Sequence, residues 1–384
     1  MTTLMRYDPF REAIRLGDAM EQRFDTVVIG GGQSGLAIGY YLAMQGRDFV
    51  ILDANDRTGA SWRKRWDSLR LFTPARYSSL PGMPFPAPAG AFLAKDEIAD
   101  YLEAYAARFH LPVQLGIVVD TLTREADRYI LTTGDHRLAA DNVVVATGAF
   151  QHPKVPAFAG LLDPTIAQVH SNEYHNPTHL QEGNVLIVGA GNSGAEIALE
   201  VAQTQRTWLA GRDTGHLPKT YPPIIQELYW WLIHQALNTD NTIGRRFKEL
   251  TGKKGAPLVG ISQRDFERAG VERVPRVVGV QDGKPVLQDG RVLDVANVIW
   301  CTGFVPDFHW IDLPVFGSDG YPVHYRGVVE DEPGLYFLGL PFQYTLTSSL
   351  IGGVGRDAHY IAKQIAARSP ARVGHADPAA ESLV

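Results

Sequence analysis

Cysteine is nearly missing from this chain: Cys301 is the only one in 384 residues. One thiol excludes an intramolecular disulfide, a CxxC redox pair and a cysteine-built metal site, and a reducing compartment suits such usage. Long apolar runs are missing too. No window approaches the roughly 18 apolar residues that a membrane span needs. Met1 to Phe24 carries charges throughout, so no secretory leader is expected there. Positive charge is in deficit: the net charge is -6 and basic runs such as Arg63-Lys64-Arg65 are short, which argues against nucleic acid. His170, His175 and His179 are spread over a proline-containing loop without cysteine support, so no metal is expected. What is left is a chain expected to be cytoplasmic, long enough and apolar enough (45% hydrophobic) for more than one domain.

The sequence does contain an internal repeat. The β-branched run Phe24-Asp25-Thr26-Val27-Val28-Ile29 enters Gly30-Gly31-Gly32-Gln33-Ser34-Gly35, and Leu36 to Gln45 reads as a helix. Asn184 to Val188 enters Gly189-Ala190-Gly191-Asn192-Ser193-Gly194 in the same way, followed by a helical stretch from Ala195 to Ala202. Each copy has a later strand with a similar tail, Val143-Val144-Val145-Ala146-Thr147-Gly148 and Val298-Ile299-Trp300-Cys301-Thr302-Gly303. The turn-to-tail spacing is 118 residues in one (148 less 30) and 114 in the other (303 less 189). The intervening segments are β-rich and broken by Gly134-Asp135, Asp282-Gly283 and Asp289-Gly290.

A GxGxxG turn between strand and helix has a physical purpose. Its first glycine permits the tight turn, the second admits a pyrophosphate to the backbone, and the third lets helix and strand pack closely. The helix start then offers unpaired N–H groups and a positive dipole end to phosphate. A lone motif is weak, but here the strand-turn-helix context is met twice. The residue ending the next strand faces the adenosine ribose. Asp53, 23 positions past Gly30, suits a free ribose hydroxyl, as in FAD or NAD; Arg212, 23 positions past Gly189, suits a 2′-phosphate, as in NADP. Arg206 is a neighbouring alternative for that phosphate. The expected fold is α/β, with two Rossmann-like dinucleotide-binding domains, for FAD and NADP. The second is inserted into the first: residues 1–182 and 305–384 form the FAD domain and residues 183–304 the NADP domain.

Further segments extend the pattern. They include Gly59-Ala60-Ser61-Trp62, Leu71-Phe72-Thr73-Pro74, Leu80-Pro81-Gly82, His170-Ser171-Asn172-Glu173-Tyr174, Cys301-Thr302-Gly303-Phe304 with Pro306-Asp307, and Gly334 to Gly339. Together with the glycine turns they resemble the class B flavin-dependent monooxygenases, especially the YUCCA-like branch of the flavin-containing monooxygenases, over Phe24 to about Ile365. The family fingerprint FxGxxxHxxxY is half present: His170 and Tyr174 match, whereas Pro164 and Ile166 stand where phenylalanine and glycine are expected. Thr73-Pro74 occupies the region where animal-type members carry an active-site asparagine.

The resemblance implies that NADPH, with NADH the alternative, reduces FAD. Oxygen then adds at flavin C4a, and the resulting hydroperoxide oxygenates a small organic substrate. If that adduct decays, the chain is instead an NADPH oxidase or a redox sensor releasing H2O2; a non-enzymatic dinucleotide-binding module is the blandest reading. A thioredoxin-reductase-like reading needs a second cysteine. The flavin carries the hard chemistry, so no catalytic triad is required. Asn192 and Thr73 are the candidate catalytic residues. Candidate cofactor contacts are Gly30, Gly32, Gln33, Ser34, Gly35, Asp53, Trp62, Val119, Ala146, Thr147, Gly148 and Gly353 on the flavin side. On the nicotinamide side they are Gly189, Gly191, Asn192, Ser193, Gly194, Arg212, Thr302 and Gly303. Gly352 to Gly355 is expected to precede a helix from about Arg356 to Ala367 that faces the flavin. The aromatic segment Tyr221 to Leu237 reads as a helix serving as a substrate entrance, a homodimer contact or a shallow membrane contact, or simply packing on its parent domain.

Overall fold

A computed structural model describes residues 22–218, 222–254 and 257–368. The N-terminal stretch up to Glu21, Tyr221 at the head of the aromatic segment, and the tail from 369 to Val384 lie outside the described residues. Two sheets organise the chain. The first contains β1 (Gln22–Ile29), β2 (Phe49–Asp53), β3 (Val113–Leu115), β4 (Thr121–Glu125), β5 (Arg128–Thr133) and β6 (His136–Val145), in the order β3-β2-β1-β6-β5-β4. β3, β2, β1 and β6 run parallel, and β4, β5 and β6 form an antiparallel meander. Gly134, at φ +56°, makes the two-residue turn that sets Thr133 opposite His136. The glycine-turn strand β1 is central, and Val27 and Val28 are fully buried, as expected of a parallel strand covered on both faces.

The second sheet is entirely parallel: β7 (Ala167–His170), β8 (Val185–Val188), β9 (Thr207–Ala210), β10 (Glu272–Val274) and β11 (Asn297–Trp300), in the order β7-β11-β8-β9-β10. The chain then returns to the first sheet, where β12 (Leu335–Phe337) pairs parallel with β6, Leu335 opposite Val143. All five strands of the second sheet therefore fall, along the chain, between β6 and β12. β7 departs from the expected boundary: it precedes residue 183 yet hydrogen-bonds into the second sheet, Ala167 opposite Asn297.

The main helices are α1 (Gln33–Met44), α2 (Lys95–Arg108), α3 (Asn192–Val201), α4 (Pro223–Trp231), α5 (Thr242–Lys254) and α6 (Ile351–Arg368). α1, α2 and α6 share one core through Leu36, Ile38, Leu42, Tyr105, Ile361 and Ile365, all fully buried. A buried ion pair, Arg47 to Asp25 at 2.7 Å, also reaches the Ile365 carbonyl at 3.3 Å and ties the C-terminal helix to β1. Removing one partner of such a pair costs about 3 to 5 kcal/mol.

Three helix starts come earlier than the sequence suggests. α1 begins at Gln33 and α3 at Asn192, so the last residues of each glycine motif are already helical. α6 begins at Ile351, so Gly352, Gly353 and Gly355 form its first turns instead of preceding it. These glycines allow close packing: a Cβ on Gly352 would sit 1.9 Å from the Tyr77 carbonyl oxygen, and one on Gly353 1.8 Å from that of Thr347.

Candidate functional site

The two glycine turns have nearly the same geometry. Gly30 and Gly189 adopt φ of +107° and +110°, where side chains are disfavoured. Each donates its N–H to the strand alongside, Gly30 to Leu52 at 2.7 Å and Gly189 to Ala210 at 2.9 Å. A Cβ on Gly35 would lie 1.8 Å from the Gly30 oxygen, and one on Gly194 would lie 1.9 Å from the Gly189 oxygen, so the third glycine is dictated by helix-strand packing. Nothing lies within 4 Å of a Cβ on Gly32 or Gly191. The protein itself thus gives no reason for the middle glycine, whereas a phosphate drawn close to the backbone does. Both helices start without a side-chain cap and without an acidic residue in the first turn. Their leading N–H groups are left for an anion.

The strand ends differ. Asp53 accepts from the Gly31 N–H at 2.6 Å and from the Asn55 backbone and side chain at 2.7 and 2.8 Å, and is largely buried. Its carboxylate braces the first turn with three of its about four acceptor positions and keeps one to spare, which suits a ribose hydroxyl. Val119 lies nearby, in the stretch that follows Ile117, whose N–H bonds the Asp53 carbonyl. Arg212 is exposed just past β9. Arg206 stands before β9, at the opposite end of the strand, 3.5 Å from Glu272 and stacked on Trp208 at 4.7 Å. It is therefore placed away from the ribose position.

The strand tails close over the turns. The Ala146 N–H bonds the Ile29 oxygen at 2.8 Å, and the Ala146 oxygen abuts Gly30; the Cys301 oxygen abuts Gly189 in the same way. Thr147 and Gly148 are bridged by Gln151, while Thr302 bonds the Lys154 carbonyl and Gly303 accepts from the Lys154 N–H at 2.9 Å. Gln33 and Trp62 meet at 3.4 Å, and Ser34 is buried beneath Gly339. Ser193 follows Asn192 in the first turn of α3.

The half-present fingerprint has a structural use. The His170 ring sits 3.0 Å from the Gly303 oxygen, and its Nδ1 accepts from the Asn172 N–H. Burial lowers its pKa, so the imidazole stays neutral. Tyr174 is buried with its hydroxyl 2.8 Å from Glu200, and burial raises its pKa. Cys301 is a poor thiolate, because burial pushes its pKa up to about 12.

Both candidate catalytic residues have intraprotein partners. Both ends of the Asn192 amide are engaged by backbone, Nδ2 donating to Pro257 and Oδ1 accepting from Val259 at 2.8 Å, so it fastens the 257–259 segment over the second turn. Thr73 is buried and its hydroxyl meets that of Ser78 at 2.8 Å, which closes the turn behind a cavity instead of lining it. Gly353 does line that cavity, but its missing side chain is already explained by Thr347.

The cavity, of about 300 Å³, lies between residues 76–79, the aromatic segment and the start of α6. The aromatic segment is helical as expected, α4 running into a π-helical turn over Leu232–Ala236. It does not pack simply on the unit that contains it in sequence. Trp230 stacks on Tyr77 at 4.7 Å, Glu227 pairs with Arg76 at 2.8 Å, and His234 Nδ1 meets the Thr347 hydroxyl at 2.8 Å. Burial and Arg356 hold His234 down to about 4, so it adds no charge to this wall near neutral pH. Tyr77 also lines the cavity, and its hydroxyl is buried without a hydrogen-bond partner among the described residues. Sequence reasoning missed Arg76, Tyr77 and His234, because residues some 150 positions apart build this wall and no local pattern marks them.

The chain is similar to known proteins in sequence and in overall fold. The model of a pyridine nucleotide-disulphide oxidoreductase family matches residues 27–224. An oxidoreductase of Geobacillus kaustophilus described as CzcO-like is 42% identical over 350 residues, covering 90% of this chain and 99% of that protein. An indole-3-pyruvate monooxygenase of Oryza sativa subsp. japonica is 29% identical, covering 87% and 91%. A flavin-containing monooxygenase from Stenotrophomonas maltophilia superposes with a TM-score of 0.74 at 30% identity, covering 90% and 99%. With two matching nucleotide cradles and relatives of this kind, the chain belongs to the pyridine nucleotide-disulphide oxidoreductase family and, within it, to the class B flavin-dependent monooxygenases.

Proposed function

We propose that the chain uses FAD on its first glycine turn and NADPH on its second to insert one oxygen atom of O2 into a small organic substrate held in the cavity beside Trp230. The other oxygen leaves as water, and one NADPH is oxidised per turnover. The observation that carries this reading is the pair of uncapped helix starts, each behind a glycine that faces open space. When bound, the flavin supplies the electron transfer from nicotinamide to O2 and the delivery of oxygen. The α1 start and Gly32 would hold its pyrophosphate, Asp53 its ribose, and Trp62 and Val119 would flank it. The α3 start, Gly191 and Arg212 would hold the nicotinamide dinucleotide, with NADPH preferred to NADH.

In this reading the FAD domain comprises residues up to about 182 and from about 305 onward, β7 being lent to the NADP domain of residues 183–304. The remaining residues position and shield. Trp230 on Tyr77 roofs the cavity against water, neutral His234 adds no charge to it, and the unpartnered Tyr77 hydroxyl is a donor that a bound molecule satisfies. The proposal is tested with isotopically labelled O2, NADPH and a panel of small amines, thioethers and 2-oxo acids. One labelled oxygen in the product per NADPH consumed is expected. If H2O2 accounts for all NADPH with every compound, the oxidase or redox-sensor reading replaces this one.

A further inference from the structure

A hydrogen-bond chain of fixed direction runs into the cavity wall. It starts at Arg356 on α6, whose guanidinium has donors only. One arm donates to the His234 carbonyl and another to the Thr345 hydroxyl oxygen, which also accepts from the Thr347 N–H at 3.3 Å. Both lone pairs of that oxygen are thereby used, so the Thr345 proton is donated, and its partner is the Thr347 hydroxyl at 3.1 Å. Thr345 and Thr347 are both buried, and buried hydroxyls are hydrogen-bonded. The Thr347 hydroxyl, accepting from Thr345, has one acceptor for its own proton among the described residues, the Nδ1 of His234 at 2.8 Å.

The direction of this chain sets the tautomer of the ring at its end. Burial and the Arg356 charge keep His234 neutral near pH 7, so the imidazole carries a single N–H. Nδ1 accepts from Thr347, which leaves the proton on Nε2. Nε2 has no hydrogen-bond partner among the described residues and is not sealed in the interior. His234 and Thr347 both line the cavity, beside Trp230.

We infer that the Nε2–H of His234 recognises the ligand of this cavity, and that the ligand is a molecule offering it a hydrogen-bond acceptor, a carbonyl oxygen or an unprotonated ring nitrogen. Protonated amines are disfavoured, because they carry donors alone and would set N–H against N–H. Thr347 is a positioning residue that acts through the ring, and Arg356 holds the same histidine by its backbone and, through the two threonines, by its side chain. That the ligand is a substrate rests on the proposed function, whereas the tautomer does not.

The test uses the flavin-loaded full chain without NADPH. Heteronuclear NMR of isotopically labelled histidine, with His234 assigned by its disappearance in His234→Phe, should show a protonated Nε2 and an unprotonated Nδ1 at neutral pH. Calorimetric titration with quinoline and with naphthalene, which share a shape but not the acceptor nitrogen, should show quinoline binding at least about tenfold tighter. His234→Phe should lose that preference and keep its flavin. Thr347→Val, which keeps the shape and removes the hydroxyl, should mix the tautomers and shrink the preference, and Thr347→Ser should restore both. The inference is overturned if wild-type His234 carries its proton on Nδ1 or exchanges it between the two nitrogens. It is also overturned if the wild type binds the two compounds equally or binds neither. These readings are taken without oxygenation, so the monooxygenase reading stands or falls separately, by its labelled-oxygen test.

Discussion

The two glycine turns share their backbone conformation and differ in the side chains around it, most of all at the end of the next strand. Gly30 and Gly189 have the same conformation, and Gly35 and Gly194 make the same close approach. Yet Asp53 is folded into the first turn through the Gly31 N–H, whereas Arg212 stands exposed beyond the second. The difference suits two kinds of ligand. A carboxylate built into the turn makes the first cradle part of the permanent fold, as a resident cofactor requires. An exposed guanidinium adds charge-assisted recognition without being needed for folding, as an exchangeable dinucleotide requires. On the proposed function, the same backbone device serves holding in one unit and visiting in the other.

The comparison breaks most sharply at the glycines. Gly35→Ala and Gly194→Ala each drive a Cβ into backbone oxygen, and loss of folded protein is expected, at a cost above about 4 kcal/mol in thermal or denaturant melts. Gly32→Ala meets open space instead, so the flavin-free protein should melt as the wild type does while flavin content after purification falls. A smaller effect separates the two arginines. Arg212→Ala should reduce the NADPH over NADH preference in kcat/KM by about ten- to a hundredfold, equivalent to about 1.5 to 3 kcal/mol, with no change in melting. Arg206→Ala should leave the preference intact, because that side chain is spent on Glu272 and Trp208.

A further effect, outside the two turns, is on acid stability. His234 and His324 are both held down to about 4 by burial and a neighbouring cation, Arg356 or Lys248. Their stabilisation is complete above the unfolded value of about 6.5 and is lost as pH falls from there towards 4, because the unfolded chain takes up protons that the folded one refuses. Melting temperature should therefore drop across that window, and less steeply in His234→Gln.

The parts of this molecule that were legible in its sequence are those written locally. Strand-turn-helix units at Gly30 and Gly189 carry their own periodicity and punctuation, and the hairpin turn at Gly134 announces itself. Helix starts lie three to five residues earlier than the sequence suggests, because glycines at 35, 194, 352 and 353 look like loop punctuation and are in fact clearances for packed backbone. The intraprotein partners of Asn192 and Thr73 are hidden from the sequence for a related reason. Their polar groups invite a catalytic reading, but Val259 and Ser78, which occupy them, become visible only in three dimensions. β7 and the cavity wall were beyond local reading, since each depends on distant partners: Asn297 for Ala167, and Trp230 for Tyr77.

The most direct test mixes flavin-loaded protein with NADPH in the absence of oxygen and follows flavin absorbance. The account predicts saturable bleaching, with Gly191→Ala raising the NADPH concentration at half-saturation at least about tenfold while flavin content stays at the wild-type level. A flavin that NADPH does not bleach, or a Gly191→Ala protein bleached with the wild-type concentration dependence, would contradict it.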